Sequence, residues 1–224
     1  MSRWSSTDAP RGDAYDERFD RLAAAGHDVH GEASFVMAYG PTSVLDAGCG
    51  TGRVAIELGR RGVAVAGIDL DLAMLESAQT KSPGIDWIHG DVSNFVIPDD
   101  DGGVRTFDIV LTAGNVMIFL TPGTERSAVR CLADHVAPGG HLVSGFQLTE
   151  RRYGVDAYDR ACASVGLERV ARYATWDGAP WLEGVGYAVS VHQRPGAGHL
   201  EPAGDAAAQR TWRADDVQVR PAAD

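Results

Sequence analysis

The stretch VLDAGCGTGRVAIELGRRG, residues 44–62, decides the fold. Ser43 to Ala47 is apolar and partly β-branched, the pattern of a buried strand, while Val54, Ala55, Ile56 and Leu58 predict a buried helix starting near Thr51. Between them stand Gly48, Gly50 and Gly52, so the reading is strand, tight turn, helix. Where a parallel strand hands over to a helix, ligands bind outside the strand's carboxyl end, and missing β-carbons let a ligand touch backbone. The glycines therefore predict a ligand site, with a ligand-free βα turn as the plain alternative. A dinucleotide fingerprint would need its third glycine where Arg53 stands, and no Lys-Ser or Lys-Thr pair follows to build a phosphate-binding loop. The spacing thus disfavours a phosphate-bearing ligand.

At 224 residues, the chain has room for one domain with a sizeable core, and 44% hydrophobic against 23% charged residues is ordinary for a globular protein. A net charge of -11 repels phosphodiester backbones, which argues against nucleic acid and for small molecules or proteins as partners. Cys49, Cys131 and Cys162 are too few and too scattered for a disulfide framework or a zinc site, and a reducing cytoplasm is expected. No stretch reaches membrane-spanning length, and the polar start MSRWSSTDAPRGD lacks the apolar core of a signal peptide. Residues 1–14 and the Gly/Ala/Pro/Asp-rich tail 196–224 are expected to be disordered around a single domain over 15–195.

Within that domain the alternation continues. VAVAGIDL, IDWIHGD, FDIVLTAG and HLVSGFQL predict further strands, DLAMLESAQ a helix, and Thr124–Val136 another helix ended by a turn at Pro138-Gly139-Gly140. A helix near Val155–Val165 precedes LERVARYATW and GYAVSVHQ, two strands joined by a Gly/Pro-containing loop that suits an antiparallel hairpin at the sheet edge. Ahead of the first strand, Tyr15–Ala25 and Gly31–Tyr39 read as helices, with Tyr15, Phe19 and Leu22 on one face. They serve as covering helices or, over residues 15–40, as a lid across the ligand crevice.

The chemistry lies in carboxylates at successive strand ends: Asp46, Asp69 and Asp91. Asp69 follows the turn by about 20 residues, where an acidic side chain accepts both hydroxyls of a ribose, a feature that also fits NAD. Asp91, in GDVSNF, suits an exocyclic amine such as that of adenine, or else is simply a turn residue.

LDAGCGTG (45–52), GIDLDLAML (67–75), HGDV (89–92), FDIVLTAGN (107–115) and LADHVAPGGHLV (132–143) together resemble, in order and spacing, the motifs of the class I S-adenosylmethionine-dependent methyltransferases. The resemblance runs from about Tyr15 to Pro195. It implies a Rossmann-like three-layer α/β sandwich with a seven-stranded, mostly parallel sheet and an antiparallel edge hairpin. It also implies S-adenosyl-L-methionine as cofactor, a cation without phosphate that suits an acidic rim. Asp46, Gly48 and Gly50 would hold its methionine portion, Asp69 the ribose, Asp91 and Val92 the adenine; Leu70 is a further cofactor-binding candidate, and Asn115, facing the crevice, would bind cofactor or acceptor.

Methyl transfer is an in-line displacement that needs alignment more than covalent machinery, so a general base is optional. Tyr15 and His30 are the candidate acceptor-side catalytic residues, His27 lies nearby, and no metal site is expected. AGNVMIF after the fourth strand lacks the Asn/Asp-Pro-Pro-Tyr pattern of members that methylate nucleobase or glutamine amino groups, and no Pro-Cys pair stands there. A small-molecule O, N or C acceptor is the expected substrate. A cofactor-binding sensor or pseudoenzyme without turnover is the alternative, and an NAD-dependent oxidoreductase a third reading.

Overall fold

The strand-turn-helix unit at residues 43–60 repeats along the chain, and the computed structural model describes it through residues 2–7, 10–149 and 153–196. A 3-10 turn at Trp4–Ser6 precedes α1 (Asp13–Ala24), α2 (Gly31–Met37), β1 (Ser43–Ala47), α3 (Arg53–Arg60), β2 (Ala64–Asp69), α4 (Leu72–Lys81) and β3 (Asp86–His89). Then follow β4 (Phe107–Thr112), α5 (Val116–Phe119), α6 (Glu125–Asp134), β5 (Val136–Gln147), α7 (Val155–Ala163), β6 (Glu168–Tyr173) and β7 (Tyr187–Gln193).

The seven strands form one sheet in the order β3-β2-β1-β4-β5-β7-β6. The pairs β1–β2, β2–β3, β1–β4 and β4–β5 are parallel, and β7 runs antiparallel to both β5 and β6. This is the expected mostly parallel sheet with an antiparallel edge pair. The chain winds outward from β1 to β3 and then crosses back to β4, so the order reverses between β1 and β4. At such a switch point the flanking helices diverge and open a crevice above the strand ends.

Period-two alternation divides the core into two layers around the sheet. Leu45, Ala66, Val110, Leu142 and Phe146 point to one face, where α6 and α7 add Leu132 and Tyr158. Val44, Val65, Ile109, Val143 and Val191 point to the other, against Ala33 and Val36 of α2 and Val54 and Leu58 of α3. Both faces of β7 are covered, so its polar residues need partners. Arg172 on β6 donates from Nε to Ser190 (3.0 Å) and from Nη2 to Asp159 (2.6 Å), and His192 meets the same carboxylate at 3.1 Å. Thr112 donates to Ser144 (2.7 Å), whose hydroxyl lies 2.5 Å from that of Tyr158. This polar seam pins β7 between its neighbours and to α7.

Three expectations need correction. Pro138-Gly139-Gly140 is not a turn that ends a helix but part of β5, where the register with β4 shifts between Phe107 and Ile109. A β-carbon on Gly140 would stand 2.7 Å from the Asp108 carbonyl oxygen, so the strands close there only around glycine. Second, residues 2–7 and 10–14 do not form a loose terminus: Trp4 and Arg11 bind Asp71, and Asp13 opens α1 and accepts from Ser77 (3.0 Å). Third, α2 packs into the core, with Ala33 and Val36 fully buried, whereas α1 buries no residue completely. The tail 197–224 lies outside the described residues.

On β2, a β-carbon at Gly67 would stand 2.5 Å from the Trp87 ring and 3.0 Å from the Cys49 sulfur. Gly67→Ala should therefore lower the unfolding free energy by about 1–3 kcal/mol through overpacking. In a Trp87→Ala background the same change should cost under about 1 kcal/mol, because contacting residues couple. Urea unfolding of the four proteins checks this, and an equal cost in both backgrounds would contradict it.

Candidate functional site

Gly48, Gly50 and Gly52 have φ of 80°, 56° and 79°, a left-handed run that turns the chain from β1 into α3 within five residues. The turn is stitched to the end of β2. The amides of Gly48 and Cys49 donate to the Ile68 carbonyl (2.7 and 3.1 Å), and that of Gly50 donates to Asp69 Oδ2 (2.8 Å). A β-carbon on Gly48 would meet Val116 Cγ2 at 2.4 Å, and one on Gly52 would meet Trp87 Cη2 at 2.4 Å. Gly48 and Gly52 thus make room first for protein side chains, while Gly48 and Gly50 also line a cleft beside the turn.

That cleft, about 950 Å³ including its opening, sits at the switch point. Asp46, Gly48, Gly50, Asp69, Leu70, Asp91, Val92 and Tyr15 all line it, so the structure brings together eight of the ten residues singled out from sequence. Asp69 Oδ1 accepts from the Asp71 amide (2.8 Å), so backbone donors aim both of its oxygens, each of which can accept more than one hydrogen bond. Asp91 Oδ1 closes a turn by accepting from the amide and hydroxyl of Ser93, both at 2.8 Å. Asp46 is 2% exposed. Desolvation pushes its carboxyl up to about 7; Arg53 opposes the rise, and the charges of Asp69 and Glu32 add to it. Burial likewise raises the Tyr15 phenol, which is therefore neutral and a hydrogen-bond donor near pH 7.

The other two residues lie elsewhere. His30 stands at the start of α2 and borders a separate depression with Asp13, Asp16 and Lys81, and it does not line the cleft. Asn115 does not line the cleft: with φ of 71° it begins α5, and its Oδ1 accepts from the Gln147 amide (2.8 Å). It joins the β4 turn to β5.

Sequence reasoning missed Arg53 and Trp4, both in the cleft lining. Arg53 registered only as a missing glycine, yet its guanidinium binds Glu32 (2.6 and 3.0 Å) and the Val29 carbonyl and lies 4.4 Å from the Phe19 ring centroid. Its signal was a cation directly after the turn, at the start of a helix whose other early residues are apolar. Trp4 sat in a stretch with no periodicity to mark it.

Among known proteins, a model of the methyltransferase domain matches residues 44–140. An uncharacterized methyltransferase of Mycobacterium tuberculosis is 35% identical over 109 residues, 48% of this chain and 51% of that protein. The match thus spans about half the length of the curated relative. The crystal structure of a TehB-like SAM-dependent methyltransferase from Corynebacterium glutamicum is similar over 81% of this chain and 97% of its own, with 33% identity and a TM-score of 0.74. SAM-bound CalS10, an amino pentose methyltransferase from Micromonospora echinaspora, shares the fold at 24% identity, covering 78% of this chain and 95% of its own, with a TM-score of 0.60. No helix among the described residues is long and apolar enough to cross a membrane.

The raised Asp46 carboxyl makes a prediction for the ligand-free protein. Between about 4 and 7 the folded state retains a proton that the unfolded state releases, so this residue's contribution to stability falls as pH rises through that window and is constant above it. Asp46→Asn should match the wild type near pH 4 and exceed it above pH 7 by up to about 4 kcal/mol. Thermal melts across pH test this, and parallel pH profiles for the two proteins would contradict it.

Proposed function

Since the chain belongs to the class I S-adenosylmethionine-dependent methyltransferases, we propose that it transfers the methyl group of S-adenosylmethionine to a small-molecule O, N or C acceptor at the mouth of the cleft. The observation that carries this reading is the buried Asp46 carboxyl beside the glycine turn, in one cleft with Asp69 and Asp91. A carboxyl that stays near 7 although Arg53 compensates part of its burial suits a cationic ligand, whose arrival favours its ionised form.

When bound, S-adenosylmethionine supplies an electrophilic methyl on a sulfonium centre, and the chain's residues align and shield it. Asp46 and the Gly48 region take the methionine ammonium, and Arg53, held by Glu32, offers its remaining donor capacity to the methionine carboxylate. Asp69 accepts from the ribose hydroxyls through the acceptor positions that Gly50 and Asp71 leave open. Asp91 and the Val92 backbone meet the adenine edge. Tyr15, neutral at working pH, orients the acceptor by donating a hydrogen bond and does not remove its proton. His30 takes no part.

Alignment by such a site is worth up to about 7–11 kcal/mol, enough for catalysis without a dedicated base. Incubation with methyl-labelled S-adenosylmethionine and a metabolite extract should yield a labelled small molecule. Asp69→Asn should weaken S-adenosylhomocysteine binding by about 10- to 100-fold in calorimetry, the effect of losing a charged hydrogen-bond acceptor. Unchanged affinity would remove the ribose assignment, and tight binding with no labelled product from any extract would favour a sensor over an enzyme.

A further inference from the structure

The segment before α1 crosses from one wall of the cleft to the other. At one end the Ser2 hydroxyl and the Arg3 amide donate to the Phe119 carbonyl (2.8 and 3.0 Å), and Arg3 Nη1 donates to that of Ile118 (3.3 Å). At the other end the Trp4 indole N–H donates to Asp71 Oδ2 (2.9 Å), an oxygen that also pairs with Arg11 Nε at 2.5 Å. Arg11 closes the loop on itself: its guanidinium lies 3.9 Å from the Trp4 ring centroid, and its Nη2 donates to the Trp4 carbonyl (3.0 Å).

Trp4 lines the cleft. Its ring meets Phe119 at 5.6 Å and Tyr15 at 6.5 Å, both edge-on, so three aromatics from three separate segments stand side by side along the ligand space. Asp71 is the joint between this row and the ribose-facing carboxylate, because its amide donates to Asp69 Oδ1 (2.8 Å) while its Oδ1 caps α4 through Ala73 (3.1 Å). None of the strap's described residues is fully buried, and segments with few buried contacts open with small free energies. The Ser2 and Arg3 bonds anchor one end, and the position of the indole over the cleft depends on the Asp71 ties and on what it covers.

We propose that Trp4, clasped by Asp71 and Arg11, is a cofactor-retaining residue: its indole closes over the adenosyl part of the bound cofactor, and release of the clasp governs how fast the demethylated product leaves. This rests on the reading that the cleft holds S-adenosylmethionine. Asp71 joins the clasp to Asp69, so ligand contact at Asp69 and closure at Trp4 support each other. The clasp acts on residence time, since its contacts must break before the bound molecule can leave.

The test uses the full chain and tritiated S-adenosylhomocysteine chased with unlabelled compound. Trp4→Phe, which keeps a ring but loses the N–H, should dissociate about 10-fold faster, and Trp4→Ala faster still, with association rates little changed. Asp71→Asn retains an oxygen to cap α4 but weakens the ties to Trp4 and Arg11, and should resemble Trp4→Phe. Ligand-free melting temperatures of Trp4→Phe and the wild type should agree, which separates retention from loss of fold. Wild-type dissociation rates in Trp4→Phe and Trp4→Ala would overturn the proposal while leaving the cleft assignment standing. Absence of S-adenosylhomocysteine binding by the wild type would overturn the cleft assignment and the proposal with it.

Discussion

The hydrogen bond from the Gly50 amide to Asp69 Oδ2 is the tie on which the cleft depends. It joins the turn after β1 to the end of β2, and with the Gly48 and Cys49 amides on the Ile68 carbonyl it fixes where α3 begins relative to the sheet. The same carboxylate receives the Asp71 amide, which sets the start of α4. Two βα units are thereby locked at their ligand-facing ends by one side chain. The left-handed glycines make this possible, because that backbone path turns three successive amides toward β2 while leaving room for Val116 and Trp87.

Electrostatics then distinguish the site from an ordinary βα crevice. Burying Asp46 with Asp69 and Glu32 nearby costs stability, and Arg53 offsets only part of it. A fold selected for stability alone would place an apolar residue there. In the proposed reading, the compensation comes from a ligand that carries positive charge and no phosphate. The cost of the empty site and the affinity of the filled one are in this account two sides of the same carboxylate.

The sheet and the carboxylates were legible because each is written in local pattern. Apolar runs of strand length alternate with helical periods, and Asp46, Asp69 and Asp91 recur where those runs end, so their convergence follows from parallel topology. What escaped was set by long-range contact. Val116–Phe119 became a single helical turn because Asn115 takes a left-handed backbone and binds β5, which no periodicity announces. His30 looked acceptor-facing only while α2 was imagined over the crevice, and burial of Ala33 and Val36 puts that helix in the core instead. Trp4 and Arg11 stood in a polar, aperiodic stretch, and their order comes from Asp71, about 60 residues away in sequence. Even the glycines were half-read: their spacing marked the turn, but the side chains they admit belong to α5 and β3.

The central claim is that S-adenosylmethionine occupies the cleft between the β1 turn, the β2 end and the N-terminal strap. Amide hydrogen exchange of the full chain with and without S-adenosylhomocysteine tests it most directly. The account predicts added protection at residues 46–52, 69–71 and 91–92 and at the strap and α1 around residues 3–7 and 12–16, with little change in β6 and β7. Exchange that is identical in the two states at saturating ligand, or protection confined to the β6–β7 edge, would contradict it.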